Sequence, residues 1–594
     1  MESAVTLLYW EHLGPSELNL TKIVKFLGGT IKLMKLTTEV AEHPERLKSA
    51  IPTVGCLITS AQTLAKLGGD NWRGVGRQRL LIGLAANVLV YGFQPTPGES
   101  QVLRELTSDS LVGVEPLPTG GRKISVAQDS RKVCRQFSGL SFDTIEPNTQ
   151  FTFIQGTGQG ACSPLISIGQ RPFFVRREVQ GCQWLLLASQ QIADLDARVP
   201  RSASILQFFS SLVPVLMFLR CSSNNQFWHN DSPTACFIID DPLLTRHYGF
   251  LDYQRLLELM ERERFCTSIA FIPWNFSRSD RGTAKLFSAY PHRYSLCVHG
   301  CDHTGREFGT TNHLLLGEKA QQALDRMTMH RKLSGIGFDD VMVFPQGFFS
   351  TAAMKALKSC GYLAAVNSTP YPVDATEDLT LRDLLGVAVT EFSNFPLFTR
   401  HYPRSVAELA FDLFLGKPAL VVEHHGFFRD GYKSLAETIA KLYSLDERLQ
   451  WSNLGMICSR ACLKKVADNG DIYVLFFTDR FCLRNETNRP QHYVLIRQAS
   501  PGQDVRIAIN GRHVDTAQET DGIKAQLSLE AGQAAEIRVE HDQRESMTVP
   551  RRKDRLYQTK VFIRRSLSEF RDNYLDKSRF LSTATHNRLT LKSK

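Results

Sequence analysis

Between residues 235 and 424 seven short apolar runs follow one another: "ACFIID", "TSIAFIP", "YSLCV", "VMVFP", "LAAVN", "GVAVTEF" and "ALVVEH". Such runs, with little polar alternation, are the mark of strands buried on both faces. Helical patterns separate several of them, among them "DYQRLLELMERER", "LLLGEKAQQALDRMTMHRKL" and "STAAMKALKSC". A strand that returns through a helical crossover lies parallel to its predecessor. Seven of them predict a sheet closed or nearly closed into a distorted (β/α)7-type barrel. In such barrels chemistry gathers at the C-terminal strand ends. The polar residues there are Asp240 and Asp241 after the first run, Trp274 and Asn275 after the second, and His299 and His303 after the third. Pro345, Gln346 and Gly347 follow the fourth, and Glu423, His424 and His425 end the seventh.

A chain of 594 residues exceeds what one core supports. Residues 1–225 mix apolar runs with Gly/Pro turns and predict a separate α/β domain of unknown role. The barrel is expected over 233–465. From 466 to 545 short alternating runs such as "DIYVLFFTD" and "AEIRVEH" predict a β-sandwich. Residues 546–594 read as a basic helical tail that packs on the protein or contacts an anionic surface. The glycine-rich "GTGQGACSP" lacks the lysine of a phosphate loop and reads as a turn between strands.

Charge excludes less than it first suggests. The net +10 comes largely from residues 546–594, with 13 Lys/Arg against four Asp/Glu, so the rest is nearly neutral and no specific nucleic-acid partner is expected. The N-terminus has no basic-then-apolar leader, and no stretch approaches 18 uninterrupted apolar residues, so neither export nor a transmembrane segment is expected. Thirteen cysteines without a CxxC, several inside apolar runs, read as buried thiols and, with the missing leader, give a cytoplasmic expectation.

Two histidines four apart stack on one face if a helical turn follows the strand, and both then reach one cation. Adjacent carboxylates after an apolar strand are costly to bury without a cation or donors. One aspartate and two histidines make a catalytic metal site with open positions, leaving the second aspartate as a base. In "FIIDDP" and "VHGCDH" the chain resembles the NodB-like polysaccharide deacetylases over residues 233–430, with partial matches in "VFPQG" and "LVVEHHG". The resemblance implies that Asp241, His299 and His303 hold a divalent metal, zinc or another divalent ion. It makes Asp240 the general base and His424, or His425 one register step on, the general acid. The position matching the family's motif arginine is Val343, and Arg306 and Arg400 are the candidates to replace it.

The implied activity is a metal-dependent hydrolase removing an acyl group, N-acetyl in the first instance, from a sugar or polysaccharide precursor. Trp274, Asn275, Pro345 and Gly347 are the expected substrate contacts, with Phe348, Phe349 and Phe427 as further walls. Two alternatives stand beside it. One is a glycosidase on the same barrel, pairing Asp240 with Glu391 or Glu423, although two histidines are superfluous to that chemistry. The other is an inactive carbohydrate-binding or scaffold protein in polysaccharide assembly.

Overall fold

The computed structural model describes residues 4–41, 54–67, 76–117, 121–145, 151–158, 161–222, 225–498, 505–519, 522–541 and 555–577. Residues 546–554 and 578–594 of the basic tail, and 159 and 160 of the glycine-rich run, lie outside the described residues. The chain forms two compact units, one of residues 1–229 with 379–382 and 464–473, the other of 230–378, 383–463 and 474–594.

The first unit is built on a nine-stranded mixed sheet. Thr30–Leu36, Ala4–Trp10, Val54–Ser60, Ala85–Tyr91 and Cys182–Leu187 run parallel in that order, and antiparallel strands continue from there. Their apolar residues are buried from both sides, as in Val88, Leu89 and Val90. The glycine-rich run joins the strands Phe151–Gln155 and Ser163–Ile168. A Cβ on Gly158 would come within 2.0 Å of the Ser108 carbonyl oxygen, so close backbone approach is what glycine serves there. Among the described residues one helical stretch, Ile205–Ser222, is long and apolar enough to cross a membrane by length and composition, and 61% of it is buried within the fold.

In the second unit seven parallel strands make the barrel: β1 (Thr234–Asp240), β2 (Thr267–Phe271), β3 (Tyr294–His299), β4 (Asp339–Val343), β5 (Ala364–Asn367), β6 (Leu397–Thr399) and β7 (Ala419–His424). Neighbours pair in sequence order, and β7 pairs β1 on its free side. Between β6 and β7 a single parallel bridge, His401 to Val421, closes the ring.

The sixth strand is not where the sequence suggested. "GVAVTEF" is a loop whose Val387, Ala388 and Val389 are buried, and only Val389 bridges, antiparallel, to Leu397. A buried apolar loop and a buried strand share a composition, and the true strand is three residues long behind Pro396. Glu391, offered as a glycosidase carboxylate, therefore sits exposed in a turn and not at a strand end.

Alternation fixes which residues enter the barrel. Ile238, Cys297, Val341, Val343, Val366, Phe398 and Leu420 belong to one buried cluster. Two residues on along a strand returns to the same face. Asp240, His299 and Arg400 therefore follow Ile238, Cys297 and Phe398 inward, and His424 lies four on from Leu420.

Beyond the barrel, Gln491–Arg497, Gly522–Leu529 and Ala517–Glu519 pair antiparallel in one sheet. Arg480–Arg484, Ala534–His541, Val505–Ile509 and Arg512–His513 form another, completing a sandwich. Ala535, Ile537 and Val539 alternate inward along one strand. The helix Arg555–Phe570, extended by the turn Arg571–Leu575, comes last. None of the thirteen cysteines forms a disulfide, and none is exposed.

Candidate metal centre at the barrel mouth

Asp241 is the first residue past β1 and holds a left-handed backbone, φ 78°, which aspartate tolerates better than most residues. Its Oδ1 lies 3.2 Å from His299 Nε2 and 3.0 Å from His303 Nε2. The donor atoms of all three residues lie within 4.8 Å of one another. Those separations are hydrogen-bond lengths, yet the buried Oδ1 has no aligned hydrogen bond. A carboxylate oxygen and two ring nitrogens converging without satisfying one another fit a shared divalent cation. His299 Nδ1 donates to the Val343 carbonyl at 3.0 Å, which leaves Nε2 as the lone-pair side of that ring. Burial works to raise the Asp241 carboxyl, but the facing His303 and His299 outweigh it and hold it well below the usual carboxylate range.

The two histidines meet without the helical turn expected from their spacing. His299 ends β3 and residues 300–306 form a tight loop, which still brings the rings to 5.0 Å. Glu307 shapes that loop: Oε1 accepts from the backbone N–H of Cys301 and His303, at 2.8 and 3.0 Å, and Oε2 from that of Asp302 at 3.1 Å. Gly300, φ 63°, is required as well, because a Cβ there would lie 2.2 Å from Glu307 Oε1 and 2.7 Å from Pro345. Three backbone donors organised by one buried carboxylate out-compete a helix whose own hydrogen bonds would need more residues. Glu307→Ala is expected to weaken divalent-metal affinity about 10- to 100-fold, as loss of ligand-orienting contacts does, measured by competition with a chelator.

Asp240 and Arg400 meet inside the barrel as a two-pronged pair, Nη1 to Oδ1 at 2.8 Å and Nη2 to Oδ2 at 2.7 Å. Both are almost fully buried. Burial raises the Asp240 carboxyl, and the Arg400 guanidinium, together with His299 and His424, more than cancels it, so the group stays below its ordinary value. Val343 faces the same interior from β4. Arg306 is elsewhere, its guanidinium 4.5 Å from the Phe348 ring centre.

In the β1–β7 register His424 is the partner of Asp240. His425 is the next residue out. Its ring lies edge-on to Tyr248, and its Nε2 is 3.6 Å from Asp572. Glu423, paired with Ile239, lies at the outward parity of the same strand.

The expected substrate contacts sit in short turns at the same end. Trp274 and Asn275 follow β2, and Pro345 and Gly347 follow β4. Arg326 stacks 5.1 Å from the Trp274 ring centre. Asn275 is fully buried, with Oδ1 accepting from Arg278 and Nδ2 unpartnered. Phe349 is fully buried and stacks on Phe344, so it is a core ring, while Phe427 packs on Phe237 and Phe428 and stays partly exposed.

The helix Arg555–Phe570 crosses this mouth, and no sequence signal pointed to that. Tyr557 donates to Asp302 after β3, Glu569 clamps Arg278 after β2 at 2.6 and 2.7 Å, and Asp572 accepts from Tyr248 after β1 at 2.6 Å. Asp302 is the fourth residue of "HGCDH", buried and ion-paired to Lys319 and Arg326. An acidic residue beside the histidines with a lysine 17 residues on was a visible pattern whose meaning needed the fold.

No protein-family model matches the chain, and no curated protein does. Among solved structures, the carbohydrate deacetylase Agd3 is 10% identical with a TM-score of 0.46, covering 91% of this chain and 99% of that one. A family 4 carbohydrate esterase from Streptomyces lividans, in complex with acetate, is 10% identical with a TM-score of 0.24, covering 38% and 94%. A CE4 family pseudoenzyme from Bacillus anthracis is 12% identical with a TM-score of 0.23, covering 39% and 66%. The resemblance to the NodB-like polysaccharide deacetylases is one of a divergent chain, and its residues carry it: Asp240 and Asp241 after the first strand, His299 and His303 after the third.

Proposed function

We propose that this chain is a metal-dependent hydrolase that removes an acyl group, N-acetyl in the first instance, from a sugar. The observation that carries the reading is the convergence of Asp241, His299 and His303 on one point beside a buried Asp240–Arg400 pair. A structural ion pair needs no two imidazoles, and a scaffold protein needs neither group.

Bound by those three residues, a divalent cation supplies Lewis acidity, making water nucleophilic near neutral pH and polarising the acyl carbonyl. Asp240, kept ionised by Arg400, accepts the proton that the attacking water loses. As the C–N bond breaks, His424 donates a proton to the leaving nitrogen, and the products are a carboxylate and a free amine. Trp274 and Asn275 on one side, and Pro345 and Gly347 on the other, orient the sugar.

The test is the metal content of the purified protein beside Asp241→Ala and His299→Ala, with acetate release from N-acetylated sugars read on all three. Near-stoichiometric divalent metal in the parent, lost in both variants together with acetate release, is the expected result. A parent that takes up no divalent ion even after incubation overturns the hydrolase reading.

A further inference from the structure

Among the described residues, a guanidinium under the helix that crosses the barrel mouth lacks hydrogen bonds at two of its three nitrogens. Arg565 is 3% exposed, and neither its Nε nor its Nη2 makes a hydrogen bond. Arginine cannot shed its charge to relieve this, and an unpaired buried charge is costly.

Its place follows from helical spacing. Tyr557, Val561, Arg565 and Glu569 are four residues apart and share one helix face. Val561 on that face is fully buried. Tyr557 is tied down after β3, while Glu569 and Asp572 are tied down after β2 and β1. Arg565 therefore lies midway across the span, and the metal trio comes from the ends of β1 and β3.

The carboxylates that anchor the span or line the metal centre already have partners. Asp302 has Lys319, Arg326 and Tyr557; Glu569 has Arg278; Asp572 has Tyr248 and Arg571; Glu307 has three backbone N–H groups. Asp240 has Arg400, and Asp241 faces its two histidines. An anion brought by a ligand would supply the hydrogen bonds that Arg565 Nε and Nη2 do not make among the described residues.

We propose that the Arg565 guanidinium, on the buried face of the C-terminal helix, receives an oxyanion carried on the sugar, a carboxylate or a phosphate. Planar paired donors on a charged group suit such an oxyanion and reject a neutral hydroxymethyl in its place. This deepens the hydrolase reading by naming its substrate class, and for the word substrate it rests on that reading. The binding itself does not.

The experiment is calorimetric titration of the full chain with three probes: neutral N-acetylglucosamine, glucuronic acid, and N-acetylglucosamine 1-phosphate. At least one anionic probe is expected to bind about tenfold or more tighter than the neutral one, as a charge-assisted contact implies. The anion preferred identifies the source, uronate or phosphate. Arg565→Gln is expected to erase the preference, and Arg565→Lys to keep part of it through charge without the paired geometry. Equal affinities for all three probes, no binding of either anion at millimolar concentration, or a preference that survives Arg565→Gln overturns the proposal. Acetate release, read separately, divides the two readings. Anion preference without release leaves this site standing and sinks the hydrolase, and release without preference does the reverse.

Discussion

Arg400→Gln is expected to lower acetate release about a hundredfold or more and to destabilise the fold by about 3–5 kcal/mol, the cost of stranding one partner of a buried ion pair. Both oxygens of Asp240 rest on this guanidinium, and both groups are buried. With Arg400 gone, burial acts on Asp240 against His299 and His424 alone and its carboxyl rises, so the base is protonated over more of the working range. The sign is definite. In the parent, the acid limb of the pH–rate profile lies below the ordinary carboxylate range, and in the variant it moves up. Stability follows the same linkage. The lowered carboxyl contributes stability that is fully present above its unfolded value and lost as pH falls through the folded one, and Arg400→Gln removes that contribution. Thermal melts across pH in both proteins, with rate profiles beside them, check both limbs; an unmoved acid limb would show that Asp240 is not the base.

The same pair explains the missing motif arginine. Position 343 carries valine, but Val343 and Arg400 face one interior from β4 and β6, so the charge enters from another strand. A valine there leaves volume for the long side chain arriving from β6. If that exchange is the reason, Val343→Arg added to Arg400→Val recovers part of the activity that Arg400→Val alone loses, while Val343→Arg in the parent overpacks the core and destabilises it by about 1–3 kcal/mol. Melting temperature and acetate release of the three variants decide it.

How much of this was legible beforehand depended on what each feature rests on. The barrel was legible because buried parallel strands leave continuous apolar runs, and Asp240, Asp241, His299 and His303 were legible because strand ends fix where polar residues fall. β6 was not, since three residues behind a proline carry less pattern than the buried loop before it. That error left Arg400 level with Arg306 as a replacement for the motif arginine, because the two-residue step from Phe398 that turns Arg400 inward exists only once Leu397–Thr399 is a strand. The loop carrying His303 was misread for a related reason: its shape comes from Glu307 and Gly300, and a carboxylate gathering backbone donors leaves no periodicity. The helix across the mouth was invisible for the plainest reason, since its anchors are ion pairs and hydrogen bonds between residues some 250 to 320 positions apart.

His424→Ala is expected to lower kcat about 10²- to 10⁴-fold, the usual worth of a positioned acid, while the protein keeps its metal. His425→Ala should leave far more activity. From the sequence the two were interchangeable, because one register step on β7 exchanges their roles. The register removes that freedom: His424 pairs with Asp240 across β1 and β7 and has the inward parity of Leu420. His425 is instead packed against Tyr248 and Phe250 and faces Asp572 of the C-terminal helix. Its loss should therefore appear as weaker amide-exchange protection in residues 555–575, with kcat changing much less than in His424→Ala. The reverse pattern, with His425→Ala abolishing turnover and His424→Ala tolerated, would place the proton donor on the helix-facing side of the mouth and require the sugar to enter beneath Asp572.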